Sequence, residues 1–212
     1  MKWMTRLLAL CLLVSPAWAA MTIGETGACP LADVPDSVKS VLDSKGYQVK
    51  DGGNVFAEAW FAKDIKPGAG AGDRAGSDFK QLTPSVFLGV IRYAKEGSDF
   101  RVQQVKPGVY TMRYQLQPED GDHLGTAPRR DFVVLLPAGV DTDPSALPDF
   151  KAVTDMSKKA SGTPHPQVLH MMYPPSGTQY PSVITAGSEY QVLVAKVSGV
   201  ELGIVLVGKG GD

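Results

Sequence analysis

Cysteine is nearly missing from this chain. Its 212 residues include two, Cys11 and Cys29, too few for a disulfide framework or a zinc-type Cys/His array. Charge of one sign is not in excess either. Twenty-one basic residues stand against 22 acidic ones, which excludes the basic footprint that non-specific nucleic-acid binding needs. No apolar run reaches the roughly 18 residues of a membrane-spanning helix. There is no P-loop, no G-x-G-x-x-G and no G-x-S-x-G elbow, so phosphate-cradling, dinucleotide-binding and serine-hydrolase chemistries have no sequence handle.

The N-terminus carries a recognisable pattern instead. Lys2 and Arg6 make a short basic start, Leu7 to Val14 form a compact apolar run, and Ala17-Trp18-Ala19 is an A-x-A cleavage signature. Together these predict a secretory signal peptide over 1–19, with Ala17 and Ala19 as the cleavage positions. The mature chain, 20–212, is then one domain exported to the periplasm or the extracellular space, with no transmembrane segment. Cleavage removes Cys11 and two basic residues, leaving Cys29 unpaired and 19 basic residues against 22 acidic ones. A lone cysteine is most often a small buried hydrophobe.

Periodicity is mainly that of strands. Residues 47–50 and 55–62 flank the turn Asp51-Gly52-Gly53-Asn54 and read as a hairpin. Val86 to Tyr93 is a continuous apolar run, expected of a strand covered on both faces. Phe100 to Val105 reads as the next strand. In 110–117, Tyr110, Met112, Tyr114 and Leu116 alternate with Thr111, Arg113, Gln115 and Gln117, the pattern of a strand with one buried face. Residues 132–136 form another buried strand, and 190–197 with 202–207 a C-terminal hairpin. Helices are expected over 34–45, with Asp33 as its cap, and over 149–160, where Phe150, Val153 and Met156 share a face and Gly162 is the stop. The stretch 66–77, rich in Gly, Ala and Pro, reads as a flexible loop. The fold class that follows is mainly β: an antiparallel β-sandwich of about seven to nine strands with two short peripheral helices.

The run Val105-Lys106-Pro107-Gly108-Val109-Tyr110-Thr111-Met112-Arg113-Tyr114 resembles a turn-then-strand signature of exported bacterial β-sandwich proteins. Asp120-Gly121-Asp122-His123-Leu124-Gly125 and Arg130-Asp131-Phe132 are similar to an uncharacterised group among them. The resemblance covers about residues 86–139 and implies a sandwich fold and an exported address, with no activity attached.

Two clusters carry candidate chemistry. The loop 119–131 is the densest in polar groups, and Asp120, Asp122, His123, Arg130 and Asp131 are its candidate ligand-binding residues. Asp120, Asp122 and His123 supply donors for a metal ion, the one cofactor the chain suggests, although the Asp120-Gly121-Asp122 echo of a calcium loop lacks the closing Glu. The plainer account is a solvated turn, with Arg130 and Asp131 paired locally. The second cluster is His165, His170, Met171 and Met172. Thioether and imidazole suit soft copper, but Met171 and Met172 would point to opposite faces of a strand, so core packing is the better account. Trp60, sharing a strand face with Glu58, is expected to be partly exposed and open to stacking on a sugar or peptide, as are Phe61, Tyr173, Tyr180 and Tyr190.

The leading expectation is a non-enzymatic exported binding module for a small molecule, a glycan or an envelope protein. The alternatives are a metal-binding protein or metal-dependent hydrolase using the 119–131 loop, and a structural cell-envelope component.

Overall fold

The computed structural model describes residues 21–65, 75–120, 127, 129–187 and 190–208. The expected signal peptide with Ala17 and Ala19, most of the 66–77 loop, and Asp122 and His123 lie outside these residues. In chain order the elements are β1 (Thr22–Thr26), α1 (Asp36–Lys39), β2 (Gly46–Asp51), β3 (Asn54–Phe61), β4 (Phe87–Tyr93), β5 (Gly97–Ser98), β6 (Gln104–Val105), β7 (Gly108–Leu116), β8 (Asp131–Pro137), α2 (Phe150–Ser161), β9 (Gln167–Met172), β10 (Ser182–Ala186), β11 (Tyr190–Val197) and β12 (Val200–Val207). The protein is mainly β with two helices.

Ten strands make one antiparallel sheet in the order β1-β2-β3-β4-β7-β8-β9-β12-β11-β10, while β5 and β6 pair separately. The two edge strands, β1 and β10, approach each other, so the sheet curls nearly into a barrel. This single curled sheet is not clearly the expected sandwich of seven to nine strands; its ten strands include β1, β9 and β10, which the periodicity does not supply. Among the described residues no helix is long and apolar enough to cross a membrane.

The main core fills the inside of the curl. In β8, Val133 and Leu135 enter this core, while Val134 and Leu136 pack on the outer face beneath Val153 and Met156 of α2. That is period-2 geometry with both faces covered. A third cluster, around Val192, Val194 and Val205, lies on the outer face of β10–β12.

Helix α2 follows its local signals. The Asp149 carboxylate accepts from the Ala152 amide at 2.7 Å, and Gly162 closes the helix in the left-handed region at φ 68°. The first helix is shorter than expected, four residues instead of the span 34–45, and its N-cap is Pro35, not Asp33. Its intended second half is recruited by β3: the Asp43 amide donates to the Phe61 carbonyl, and the Lys63 amide to that of Val41. The expected strand over 100–105 is interrupted as well. The Asp99 carboxylate captures the Arg101 and Gln103 amides at 2.8 and 2.7 Å, which turns the chain and leaves only β6 as strand.

The polar face of β7 is buried, where one exposed face was expected. Arg113 is fully buried, and its guanidinium forms a bidentate pair with Asp141 at 2.7 Å. Its remaining donors reach the carbonyls of Ser85, Asp143 and Ala146, each at 2.7 Å. Thr111 adds a hydrogen bond to Asp141. Residues 141–148 thereby form a strap clamped across the outer face of the sheet, with every guanidinium hydrogen used.

Candidate ligand-binding site

Strand register builds a small recess below that strap. Gln115 of β7 stands opposite Phe132 of β8, and Phe132 stands opposite His170 of β9. One step along, Val134 stands opposite Val168. These side chains share the outer face of three neighbouring strands, as the period of two requires. Phe150 and Thr154, one turn apart on α2, and Phe100, on the loop between β5 and β6, close the sides. The cavity measures about 160 Å³.

His170 is its unusual member. The residue is 3% exposed, and its ring lies between Phe100, with centroids 4.9 Å apart, and Phe132, at 5.4 Å edge to face. Phe100 in turn stacks on Tyr190 at 4.9 Å. Nδ1 of His170 is buried with no hydrogen-bond partner among the described residues. A buried polar atom left unpaired is costly, so it is a feature that needs a reason. Burial pushes the imidazole pKa down to about 4, and the opposing pull of the Asp131 carboxylate is smaller. The ring is therefore neutral at neutral pH. Asp99 also borders the cavity. Burial raises its pKa, although the Gln103 and Arg101 amides counteract it.

The residues expected to bind fall as follows. Asp131 is fully buried, and its carboxylate accepts from Ser77 Oγ at 2.8 Å, the Tyr114 hydroxyl at 2.6 Å and the Asp78 amide at 2.8 Å. Arg130 does not pair with it. Its guanidinium donates to the carbonyls of Gln117 and Ala75 and meets Glu119 at 2.7 Å, because successive residues point to opposite sides. Asp120 is described and has an interaction partner. Among the described residues no three His, Cys, Asp or Glu side chains converge as a metal site. The 119–131 region still borders the cavity through Ala127, and β7 and the residues after it do so through Leu116, Gln117 and Pro118.

His165 and His170 of the second cluster line the same cavity. Met171 is buried in the main core, and Met172 packs on the outer cluster, so the two point to opposite faces as expected. Trp60 is 1% exposed, with its indole N–H donating to the Gly27 carbonyl at 2.9 Å, which corrects the expectation of an open stacking surface there. Glu58 on that face is buried too, paired with Arg92 at 2.6 Å and accepting from Gln48. Cys29 is a free, half-buried thiol whose pKa burial raises, the setting of an unreactive cysteine.

A second depression, about 520 Å³, lies on the other side of the strap between Val41, Phe87, Pro144 and Leu147. It holds no buried titratable side chain among the described residues. Sequence reasoning missed Phe100, Phe132, Val134 and Val168 as site residues. The alternation of Phe132 with Val134, and of Val168 with His170, was the available signal, but it does not say which strands become neighbours. No protein-family model, no curated protein and no solved structure matches this chain.

Proposed function

We propose that this chain is an exported, non-enzymatic binding module that holds a small apolar molecule in the cavity between β8, β9 and the start of α2. The observation that carries the reading is a recess walled by Phe100, Phe132, Val134 and Val168, with a neutral histidine as its one buried titratable ring. An apolar recess with few, specifically placed polar groups is the usual form of a small-molecule site. Its volume matches the roughly 150 Å³ at which an apolar cavity accepts a single benzene ring. Phe150, 48% exposed at the rim, supplies an apolar lip at the entrance. The neighbouring 119–131 region places Ala127 on the same wall.

Titration of the folded protein with toluene, followed through its amide NMR spectrum, tests this. Saturable shifts centred on Phe100, Phe132, Val168 and His170 are expected. In Thr154→Trp, which fills the recess from the helix side without removing core atoms, the shifts disappear while the rest of the spectrum persists. No saturable response to toluene or to phenol overturns the proposal.

A further inference from the structure

We propose that the ligand class is phenolic: a single aromatic ring whose hydroxyl completes the missing hydrogen bond at His170 Nδ1. This rests on the binding reading above and narrows it.

Three observations converge on that class. The size of the cavity, about 160 Å³, admits one ring and few further atoms. Its walls near His170 are aromatic: Phe100 and Phe132 flank the imidazole at 4.9 and 5.4 Å, and rings pack against such walls by offset or edge-to-face contact. Among the described residues Nδ1 is the one buried side-chain polar atom without a hydrogen-bond partner. In a neutral imidazole this nitrogen is either an acceptor or an N–H donor, depending on the tautomer. A hydroxyl is both donor and acceptor, so it satisfies either tautomer, whereas an ether satisfies only the N–H form and a plain hydrocarbon neither.

Charge around the ring favours an uncharged partner. Oδ1 of Asp99 is occupied by the Arg101 and Gln103 amides. Asp131, which faces β9 from β8, is occupied by Ser77, Asp78 and Tyr114. Gln115 donates its amide to Ser85 Oγ at 2.8 Å. Of the residues that line the recess, the cation Arg101 is exposed, and so is His165 on the surface turn after α2. A carboxylate ligand would lose its hydration without a buried cation to replace it.

Phe100 is the wall that stands against the imidazole. It covers His170 from a four-residue turn that is held by Asp99 and contains Val102 in the left-handed region at φ 64°, a conformation unfavourable for a β-branched residue. A ring entering beneath Phe100 reaches Nδ1 when that side chain swings toward the rim.

The test compares dissociation constants of toluene, anisole, phenol and benzoate on the wild-type protein by NMR titration, alongside a long-range 15N spectrum of the histidine rings. Phenol is expected to bind about tenfold more tightly than toluene or anisole, the equivalent of one buried hydrogen bond, and to shift the His170 Nδ1 signal, which toluene leaves in place. A featureless apolar hole would rank toluene first, because toluene is the more easily dehydrated of the two. In His170→Phe the preference for phenol over toluene disappears. Toluene or anisole binding as tightly as phenol overturns the inference and leaves the apolar site standing. Benzoate binding best overturns it in favour of an anion site. If none of the four binds, both readings fall. The wild-type comparison decides the matter even if the variant does not fold.

Discussion

Lowering the pH from 7 to 4 should cost the folded protein about 3 kcal/mol through His170 alone. The buried imidazole has its pKa pushed down to about 4, while in the unfolded chain it titrates near the ordinary value of about 6.5. Between those two values the unfolded chain takes up a proton that the folded chain refuses, so acid favours unfolding there. Above 6.5 both states are neutral and the full stability is present; it is lost progressively as the pH falls through 6.5 to 4. The gap of about 2.5 pH units at about 1.4 kcal/mol each amounts to about 3.5 kcal/mol in full, of which about 3 kcal/mol is lost by pH 4, where the folded imidazole is half protonated. Asp99 works in the opposite sense, since its raised pKa makes its protonation favour the folded state in acid. Comparing wild type with His170→Phe cancels that contribution and isolates the imidazole. Urea unfolding of both proteins at pH 7, 5.5 and 4 is the assay. The variant should retain about 3 kcal/mol more of its pH 7 stability at pH 4 than wild type does. Parallel losses in the two proteins would refute the buried, neutral histidine.

The strap offers a second test. Asp141→Ala strands the buried Arg113 charge and should lower unfolding free energy by about 4 kcal/mol, whereas the double change Arg113→Met with Asp141→Leu should lose much less; denaturant midpoints measure both. Removing the acceptor in Asp131→Ala leaves the Tyr114 hydroxyl, Ser77 and the Asp78 amide unsatisfied. It should cost about 3 kcal/mol by the same measurement, and an unchanged midpoint would count against the hydrogen-bond assignment. Gly89 sits at φ 150° beside a register shift in β4, where an added Cβ would collide with the Trp60 carbonyl. Gly89→Ala should therefore lower the melting temperature by several degrees, on the order of 2 kcal/mol.

The two-residue glycine turn of the β2–β3 hairpin, the C-terminal hairpin and helix α2 with its Asp149 and Gly162 caps were legible in the sequence. Each depends on neighbours within a few positions, and so do caps and tight turns generally. The failures share the opposite property. Thr111, Arg113 and Gln115 read as a solvated face because polar residues alternating with apolar ones usually are one. Asp141, 28 positions after Arg113, makes that face interior. Trp60 read as partly exposed because Glu58 shares its face, until Arg92 and Gln48 from adjoining strands covered the carboxylate. Residues 41–43 read as helix because their periodicity fits one, and the end of β3 took their hydrogen bonds instead.

The same division holds for the site. Asp131 and Arg130 drew attention as neighbours in a polar loop, yet adjacent residues of a strand face opposite ways, and these two serve different parts of the fold. His170 looked like core material, and it is buried. Its environment was not readable from its own segment. Phe132 is 38 positions before it and Phe100 70 positions before it, and only the pairing of β8 with β9 and the Asp99 turn bring them to the imidazole.

What the sequence determined by itself is the mainly β class, the second helix and the local hairpins, because period, turn chemistry and composition act over short distances. Tertiary structure alone decided the ten-strand order, the burial of Arg113 and the cavity beside His170. These are set by which strands become neighbours and in what register, and a shift of one residue would turn every side chain of that strand to the opposite face.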